Sequence, residues 1–295
     1  MLFPRIAILG VGLIGASTAL AVKARGMCRA VLGYGRNEAN LRRAVELGII
    51  DDYRMDPREI CSDADLVILA TPVGTFGELV RTIAASLKRG AVMTDVGSVK
   101  GKLVSEIESL LPDAVFYVGS HPIAGSDRAG IDDAREDLFD GALCIVTPTG
   151  RTDREMKEKV AALWEGVGCR VEFMDPQRHD EVYGAVSHLP HVVAYALVNA
   201  IADFDAECIE YAGQGFKDTT RIALSSPELW RDIAILNRET IVGLIEILKQ
   251  RLTEIENLLA SSDGAAIERE FSRARSVRSR LTAGTGRFLK EDPMP

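Results

Sequence analysis

The side chains best suited to acid–base chemistry lie in two polar motifs, D-V-G-S-V-K at 95–100 and G-S-H-P-I-A-G-S-D at 119–127. His121 has an imidazole that titrates near neutrality, which suits a general base. Ser98 has a hydroxyl that donates or accepts a hydrogen bond. Each motif closes an apolar stretch that reads as a strand. We therefore expect Ser98 and His121 to meet at the carboxyl ends of parallel strands, where ligands bind.

A glycine motif at the N-terminus predicts what binds there. Residues 10–15 read G-V-G-L-I-G between an apolar strand and a helix, the context in which G-x-G-x-x-G indicates a dinucleotide site. Gly10 allows a tight turn, Gly12 lets a pyrophosphate approach the backbone, and Gly15 lets helix and strand pack closely. The expected cofactor contacts are Gly10, Gly12, Leu13, Ile14, Gly15, Tyr34, Gly35, Arg36, Thr71, Pro72 and Asp95.

The end of the second strand favours NADP over NAD. An acid about 20 residues after the last glycine would hold the ribose 2′-hydroxyl of NAD, but the residue there is Gly35. No carboxylate would repel a 2′-phosphate, and Arg36 can pair with one. NAD binding is not excluded, and the alternative for Arg36 is a solvated surface residue.

A second polar cluster lies further along the chain, in S-H-L-P-H at 187–191, G-F-K-D-T-T-R at 215–221 and W-R-D at 230–232. Lys217 and Arg221 are four residues apart, so they would share a helix face. Two cations beside Trp230 suit a dianionic substrate, although an exposed charged face and a core tryptophan explain them equally well. A metal site at His188 and His191 is disfavoured, because Pro190 intervenes and acidic partners are lacking, and no metal is expected.

Strands and helices alternate through the first part of the chain, which predicts a parallel sheet covered on both faces. After Pro176 only helices are convincing. We predict an α/β protein with a Rossmann-type dinucleotide-binding domain at 1–175 and an all-helical domain at 176–295. Residues 225–264 read as one long helix, whose apolar stripe suggests a dimer partner.

The composition excludes several classes of protein. The chain has 295 residues, is 47% hydrophobic and carries a net charge of −8, which disfavours a general nucleic-acid binder. Five cysteines without a C-x-x-C motif predict reduced thiols in a cytoplasmic protein. The uncharged run Ile6–Val22 is shorter than the roughly 20 residues of a membrane helix and is glycine-rich, so no membrane association is expected.

Taken together, the motifs resemble those of the prephenate/arogenate dehydrogenase family of tyrosine biosynthesis. The stretches that carry the resemblance are G-V-G-L-I-G at 10–15, D-V-G-S-V-K at 95–100, G-S-H-P-I-A-G-S-D at 119–127, S-H-L-P-H at 187–191, G-F-K-D-T-T-R-I-A at 215–223 and S-P-E-L-W-R-D-I at 226–233. The resemblance implies oxidative decarboxylation of prephenate to 4-hydroxyphenylpyruvate, or of arogenate to tyrosine. It also implies that the helical domain forms a homodimer.

The resemblance further implies roles for individual residues. His121 would take the proton of the substrate 4-hydroxyl, with Ser98 orienting both groups. Arg221 would bind a substrate carboxylate, while His188 and Trp230 would line the side-chain end of the pocket, where His188 favours prephenate. The remaining substrate contacts would be Lys217, Asp218, Ser126 and Asp127, with Asp127 standing where relatives often have Glu.

Other readings remain open from the residues. A β-hydroxyacid dehydrogenase or a pyrroline-carboxylate reductase also places helices after a Rossmann domain, but neither needs the S-H-L-P-H motif. A dinucleotide-sensing regulatory protein would bind the cofactor without depending on His121.

Overall fold

The computed structural model describes residues 1–124 and 130–283. Its strands are β1 (Arg5–Leu9), β2 (Ala30–Tyr34), β3 (Asp52–Tyr53), β4 (Leu66–Leu69), β5 (Val92–Asp95), β6 (Phe116–Tyr117), β7 (Gly119–Ile123), β8 (Leu143–Thr147) and β9 (Arg170–Phe173). The first six form a parallel sheet in the order β3-β2-β1-β4-β5-β6.

Helices connect and cover these strands. They are α1 (Leu13–Ala24), α2 (Glu38–Glu46), α3 (Pro57–Cys61), α4 (Phe76–Ile83), α5 (Gly101–Leu110) and α6 (Arg154–Gly166). Alternate residues of β1 enter opposite hydrophobic clusters, Ile6 and Ile8 on one face and Ala7 and Leu9 on the other. A parallel strand buried on both faces needs such an unbroken apolar run. The predicted doubly covered sheet is therefore confirmed.

A second sheet departs from the prediction of parallel strands throughout. After Val118 the chain leaves the first sheet, and β7 pairs antiparallel with β8, opposing His121 to Ile145, while β8 pairs parallel with β9. Parallel neighbours need a crossover connection, usually a helix. Helix α6 joins β8 to β9, but only Val118 separates β6 from β7. The sequence 115–122 therefore contains two strands, not one.

The remaining elements are helical, as predicted. They are α7 (Pro176–Tyr183), α8 (Leu189–Asp205), α9 (Gln214–Thr220), α10 (Pro227–Leu236), α11 (Arg238–Ala260) and α12 (Gly264–Ala283). A π-helical turn, Gly184–His188, lies between α7 and α8. Pro190 follows in the first turn of α8, where its missing N–H is tolerated.

The predicted single long helix over 225–264 is wrong, because it is broken at Asn237. Ser226 caps α10 through Leu229 N–H, with Pro227 at the first helical position, as predicted. Asn237 then leaves the helical conformation, with φ −106° and ψ 27°. Its buried side chain bonds to groups of α7 and the π-helical turn, and these tertiary contacts stabilise the break.

Contacts divide the chain into two compact units, Met1–Ile241 and the residues from Val242 onward. The second unit contains most of α11 together with α12, and it exposes several large apolar side chains. Among these are Val242, Ile247, Leu252, Leu259, Phe271 and Val277. No helix in the described part of the chain has the length and apolarity needed to cross a membrane.

Candidate active site

The glycine motif forms a tight turn between β1 and α1. Gly10 has φ +111°, a conformation that favours glycine, and a Cβ there would lie 2.5 Å from the main chain of Ala70. A Cβ on Gly15 would lie 2.1 Å from the Gly10 carbonyl oxygen, so this glycine serves close packing of helix on strand. A Cβ on Gly12 would meet no protein atom within 4 Å. The space beside Gly12 is therefore open for a ligand to approach the backbone.

Helix α1 presents its N-terminus to that space. Gly12 is its N-cap, no side chain caps the helix, and its first turn holds no acidic residue. Uncapped N–H groups and the helix dipole make such an end a site for anions, phosphates in particular.

A cavity of about 590 Å³ opens from this turn along the strand ends. The predicted contacts that line it are Gly10, Gly12, Tyr34, Gly35, Arg36, Thr71 and Pro72. Leu13, Ile14, Gly15 and Asp95 do not line it. Residues that the prediction missed include Asn37, Asn40, Thr75, Glu78 and Leu79. Size, open backbone and uncapped helix end together fit a dinucleotide.

Two of the missed residues shape the end of the cavity at Arg36. Asn37 caps α2 by accepting from Asn40 N–H, and the Asn40 amide donates to the Val11 carbonyl oxygen at 2.9 Å. The second strand end is thereby tied to the glycine turn. The exposed Arg36 forms no ion pair with any described residue. The sequence signal for the cap was an Asn directly before an amphipathic segment.

Asp95 supports the site from inside the protein. It is fully buried and accepts hydrogen bonds from Tyr117 Oη (2.8 Å), Ser120 N–H (3.1 Å) and Gly97 N–H (3.0 Å). It also forms an ion pair with the equally buried Lys100. Direct contact of its carboxylate with a cofactor would require loss of one of these partners. The contacts favour a role in holding the loop that carries Ser98.

His121 projects from β7 into a chain of hydrogen bonds. Its Nδ1 lies 2.8 Å from His179 Nε2, and His179 Nδ1 lies 2.9 Å from Asp180 Oδ1. Asp180 also accepts from the N–H groups of Lys100 and Gly101, at 2.7 and 2.8 Å. The carboxylate accepts the His179 Nδ1 hydrogen, so His179 Nε2 accepts the hydrogen of His121 Nδ1. His121 Nε2 is thereby left with a free lone pair, as a general base requires.

The surroundings keep this histidine pair neutral. Burial, followed by the effects of His179, Lys100 and His188, lowers the pKa of His121 well below its ordinary value. Burial, with Lys100 and His188 adding to it, lowers the pKa of His179 to about 2. The ring of Tyr183 packs edge-on against His121, with ring centres 4.9 Å apart. A neutral, sterically held imidazole can accept a proton at physiological pH.

The sequence did not lead us to predict a role for His179 or Asp180, nor the structural role of Lys100. The available signal was a His-Asp dipeptide directly after the last strand, in a chain with four histidines. Residues 176–183 were read only as the start of a helix. The pairing of His179 with His121 spans 58 residues of sequence, and periodicity carries no information on such a contact.

Ser98 and His188 lie on segments that meet beside this chain of bonds. Ser98 is half-buried in the loop after β5, whereas His188 is fully buried at the end of the π-helical turn. Burial lowers the pKa of His188 to about 4, although Asp180 and, to a smaller extent, the Ser98 carbonyl act to raise this pKa.

Trp230 on α10 packs against both histidines of the S-H-L-P-H motif. It stacks on His191 with ring centres 3.5 Å apart and meets His188 edge-on at 5.9 Å. His191 Nδ1 donates to the Ser187 carbonyl oxygen. Nothing in these contacts brings the two histidines together as a metal pair, and the described residues contain no cluster of three or more His, Cys, Asp or Glu suited to a metal.

The residues predicted to bind a dianionic substrate lie on α9 and in the turn after it. Lys217 and Asp218 are exposed on α9, and Asp218 accepts from the Gln214 amide at 2.7 Å. Arg221 is exposed in the 3₁₀ turn that follows, so Lys217 and Arg221 share no regular α-helix. Ser126 and Asp127 lie outside the described residues, and their predicted roles stay predictions.

A Rossmann-type sheet whose glycine turn and uncapped helix end border an open cavity is the arrangement of a nicotinamide dinucleotide-dependent oxidoreductase. Comparison with known proteins identifies its family. A model of the prephenate dehydrogenase nucleotide-binding domain matches residues 18–173, and one of the prephenate dehydrogenase dimerization domain matches residues 175–273. The chain belongs to the prephenate dehydrogenase family.

Individual relatives are similar in sequence to this chain over most of their length. Cyclohexadienyl dehydrogenase of Zymomonas mobilis is 33% identical over 95% of this chain and 96% of that protein. Prephenate dehydrogenase of Bacillus subtilis is 34% identical over 94% of this chain and 76% of that protein. The crystal structure of Aquifex aeolicus prephenate dehydrogenase with hydroxyphenyl propionate and NAD+ has 36% identity and a TM-score of 0.89, covering 94% of this chain and 98% of that one.

Proposed function

We propose that this protein oxidises prephenate to 4-hydroxyphenylpyruvate and carbon dioxide. The observation that carries the proposal is the chain from His121 through His179 to Asp180, which leaves His121 Nε2 as the acceptor of a proton. The family and the relatives named above support the choice of substrate.

The proposed reaction has three coupled changes. His121 Nε2 takes the proton of the ring 4-hydroxyl as C4 becomes a carbonyl carbon. The hydrogen on C4 leaves with its electron pair, and the oxidised nicotinamide, when bound, accepts it. The bond from C1 to the ring carboxylate breaks, its electrons enter the ring, and carbon dioxide departs. The electron pair released by decarboxylation reaches the C4 oxygen through the ring, and this oxygen takes a proton back from His121 to give the phenol. The gain of aromaticity makes the step effectively irreversible.

The chain's own residues position the substrate in this scheme. Ser98 orients His121 and the 4-hydroxyl, while Arg221 binds a carboxylate as a bidentate donor. His188 and Trp230 line the side-chain end. Lys217, Asp218, Ser126 and Asp127 are the remaining proposed contacts.

We further propose that NADP is the preferred cofactor. Gly35 provides no carboxylate that would repel a 2′-phosphate. Arg36 lines the cavity beside Asn37, the N-cap residue of α2, and its guanidinium can pair with a phosphate. We also propose that the domain boundary lies at 175/176 and that a homodimer forms through the C-terminal helices. The exposed apolar side chains of α11 and α12 support the dimer.

Arogenate dehydrogenase activity is the alternative, because arogenate differs from prephenate only by an amino group in place of the side-chain keto group. One of the relatives is a cyclohexadienyl dehydrogenase, which supports this alternative.

The test is nicotinamide reduction by the purified protein, with prephenate and arogenate each paired with NAD+ and NADP+. We expect the fastest turnover with prephenate and NADP+. The variant His121→Asn should lose turnover by about 10² or more while keeping its cofactor affinity. Absence of turnover with all four pairs, with cofactor binding intact, would overturn the proposal.

A further inference from the structure

The break between α10 and α11 places one polar side chain in the protein interior. Asn237 is 4% exposed, and its amide nitrogen Nδ2 lies 2.8 Å from the Asp180 carbonyl oxygen and 3.0 Å from His188 Nδ1. The same residue therefore contacts the main chain beneath the catalytic relay and the imidazole of His188.

These two distances fix the orientation of the amide. The Asp180 carbonyl oxygen can only accept a hydrogen bond. An amide turned the other way would place its own oxygen against that carbonyl, and two acceptors would face each other without a hydrogen. The nitrogen of Asn237 therefore faces Asp180, and its second hydrogen points at His188.

The orientation of Asn237 in turn fixes the tautomer of His188. Because Asn237 Nδ2 donates to His188 Nδ1, that nitrogen carries a lone pair. The hydrogen of the neutral ring is then on Nε2. A protonated ring would bring an N–H at Nδ1 against the amide hydrogens, so the contact also disfavours the imidazolium form.

The Nε2 hydrogen has no acceptor in the described part of the chain. His188 is fully buried, and its Nε2 lacks any hydrogen-bond partner among the described residues. The influence of the Ser98 carbonyl on this ring shows that the ring lies beside the loop of the catalytic serine, although no hydrogen bond of normal geometry joins them. A buried donor without a partner is costly, and a ligand acceptor would relieve the cost.

We propose that Asn237 sets the substrate preference by holding His188 as an Nε2–H donor, which accepts a 2-oxo acid side chain and disfavours a 2-amino acid side chain. The inference rests on the proposed function, since it concerns the side-chain end of the same site. A keto oxygen accepts from Nε2–H. An ammonium group offers three donors and no acceptor, so its approach leaves two donors facing each other. Asn237 is a positioning residue, acting through His188.

The first test reads the tautomer directly and needs no turnover. ¹⁵N spectra of the histidine-labelled protein contain signals from four histidines, and a His188→Gln spectrum assigns those of His188. We expect a protonated Nε2 and an unprotonated Nδ1 in the wild-type protein, and loss of this single tautomer in Asn237→Leu. A hydrogen on Nδ1, or on both nitrogens, in the wild-type protein overturns the proposal even if the variant does not fold.

The second test measures kcat/KM for prephenate and for arogenate. In Asn237→Leu the ratio of kcat/KM for prephenate to kcat/KM for arogenate should fall by about tenfold, which corresponds to about 1.4 kcal/mol. The fall should come from a lower kcat/KM for prephenate. Asn199→Leu, the same substitution at an exposed position of α8, should leave the ratio unchanged.

The outcomes separate this inference from the proposed function. An equal loss for both substrates in Asn237→Leu is what a purely structural role predicts, and it overturns the selectivity. Failure of the wild-type protein to turn over either substrate refutes the proposed function, whereas the tautomer is still decided by the spectrum.

Discussion

His179 Nε2 lies 2.8 Å from His121 Nδ1, so one nitrogen of the proposed catalytic imidazole is already hydrogen-bonded before any substrate binds. His179 is in turn hydrogen-bonded to Asp180, whose carboxylate also accepts hydrogen bonds from two main-chain N–H groups. The tautomer of His121 is therefore determined by a carboxylate that does not contact it.

Asp180→Asn tests this dependence. Asp180 Oδ1 accepts from both His179 Nδ1 and Lys100 N–H, and Oδ2 accepts from Gly101 N–H. The NH₂ group of the amide must therefore face either His179 and Lys100 or Gly101. If it faces His179, both histidine tautomers reverse and His121 Nε2 loses its lone pair. We expect kcat to fall by about 10²–10⁴, with cofactor affinity unchanged in a fluorescence titration. Asp175→Asn is the matched control, because Asp175 caps the same helix and Asn caps equally well. Wild-type kcat in Asp180→Asn would contradict the relay.

The three glycines of the N-terminal turn should separate into folding and binding roles. Gly15→Ala places a Cβ 2.1 Å from a main-chain oxygen, and we expect it to lower the free energy of unfolding by about 1–3 kcal/mol. Gly12→Ala meets no protein atom within 4 Å, so the unfolding midpoint should stay close to that of the wild type while the Kd for the dinucleotide rises at least tenfold. Urea unfolding and calorimetric titration measure the two effects. A Gly12→Ala protein that binds normally would place the pyrophosphate elsewhere.

Arg36→Ala should discriminate between the two cofactors. A charge-assisted hydrogen bond contributes about 1.5–3 kcal/mol, so KM for NADP+ should rise by roughly tenfold to a hundredfold while KM for NAD+ changes little. The control is Arg42→Ala on α2, where the arginine pairs with Glu38 and does not line the cavity. Equal effects of Arg36→Ala on both cofactors would show that Arg36 does not recognise the 2′-phosphate.

Buried histidines should make the stability of the protein depend on pH. In the folded protein the pKa of His179 is lowered to about 2 and that of His188 to about 4, whereas in the unfolded chain both are near 6.5. Below pH 6.5 the unfolded state therefore binds more protons, and the free energy of unfolding falls as pH falls. The slope approaches about 1.4 kcal/mol per pH unit for each histidine. Urea unfolding between pH 5 and 7 measures it, and His188→Gln should reduce it. A flat profile would show that these rings are protonated when folded.

The sequence predicted those parts of the molecule that local patterns determine. Apolar runs ended by glycine or proline located β1, β2, β4 and β5, and the glycine motif located the cofactor cavity. Each of these signals lies within a few residues of the feature it predicts. His121 was expected where a strand of the parallel sheet ends, but it lies within β7, opposite Ile145 of β8.

The missed features depend on contacts between distant segments. The helix breaks at Asn237 because its amide bonds to the Asp180 carbonyl, 57 residues away, and the apolar stripe of 225–264 continues through the break. The second sheet depends on the pairing of β7 with β8, about 20 residues further along the chain, and of β8 with β9. Tertiary contacts of this kind leave no periodic trace in the sequence.

The π-helical turn at Gly184–His188 limits how many residues this segment can contain. Such a turn holds one residue more than an α-helical path, and each residue of an α-helix advances the side-chain direction by about 100°. Deletion of the exposed Val186 would let α7 and α8 join as a regular helix and would turn His188 away from Asn237 and Ser98. This segment should accept many substitutions on its exposed side, but no change in its number of residues.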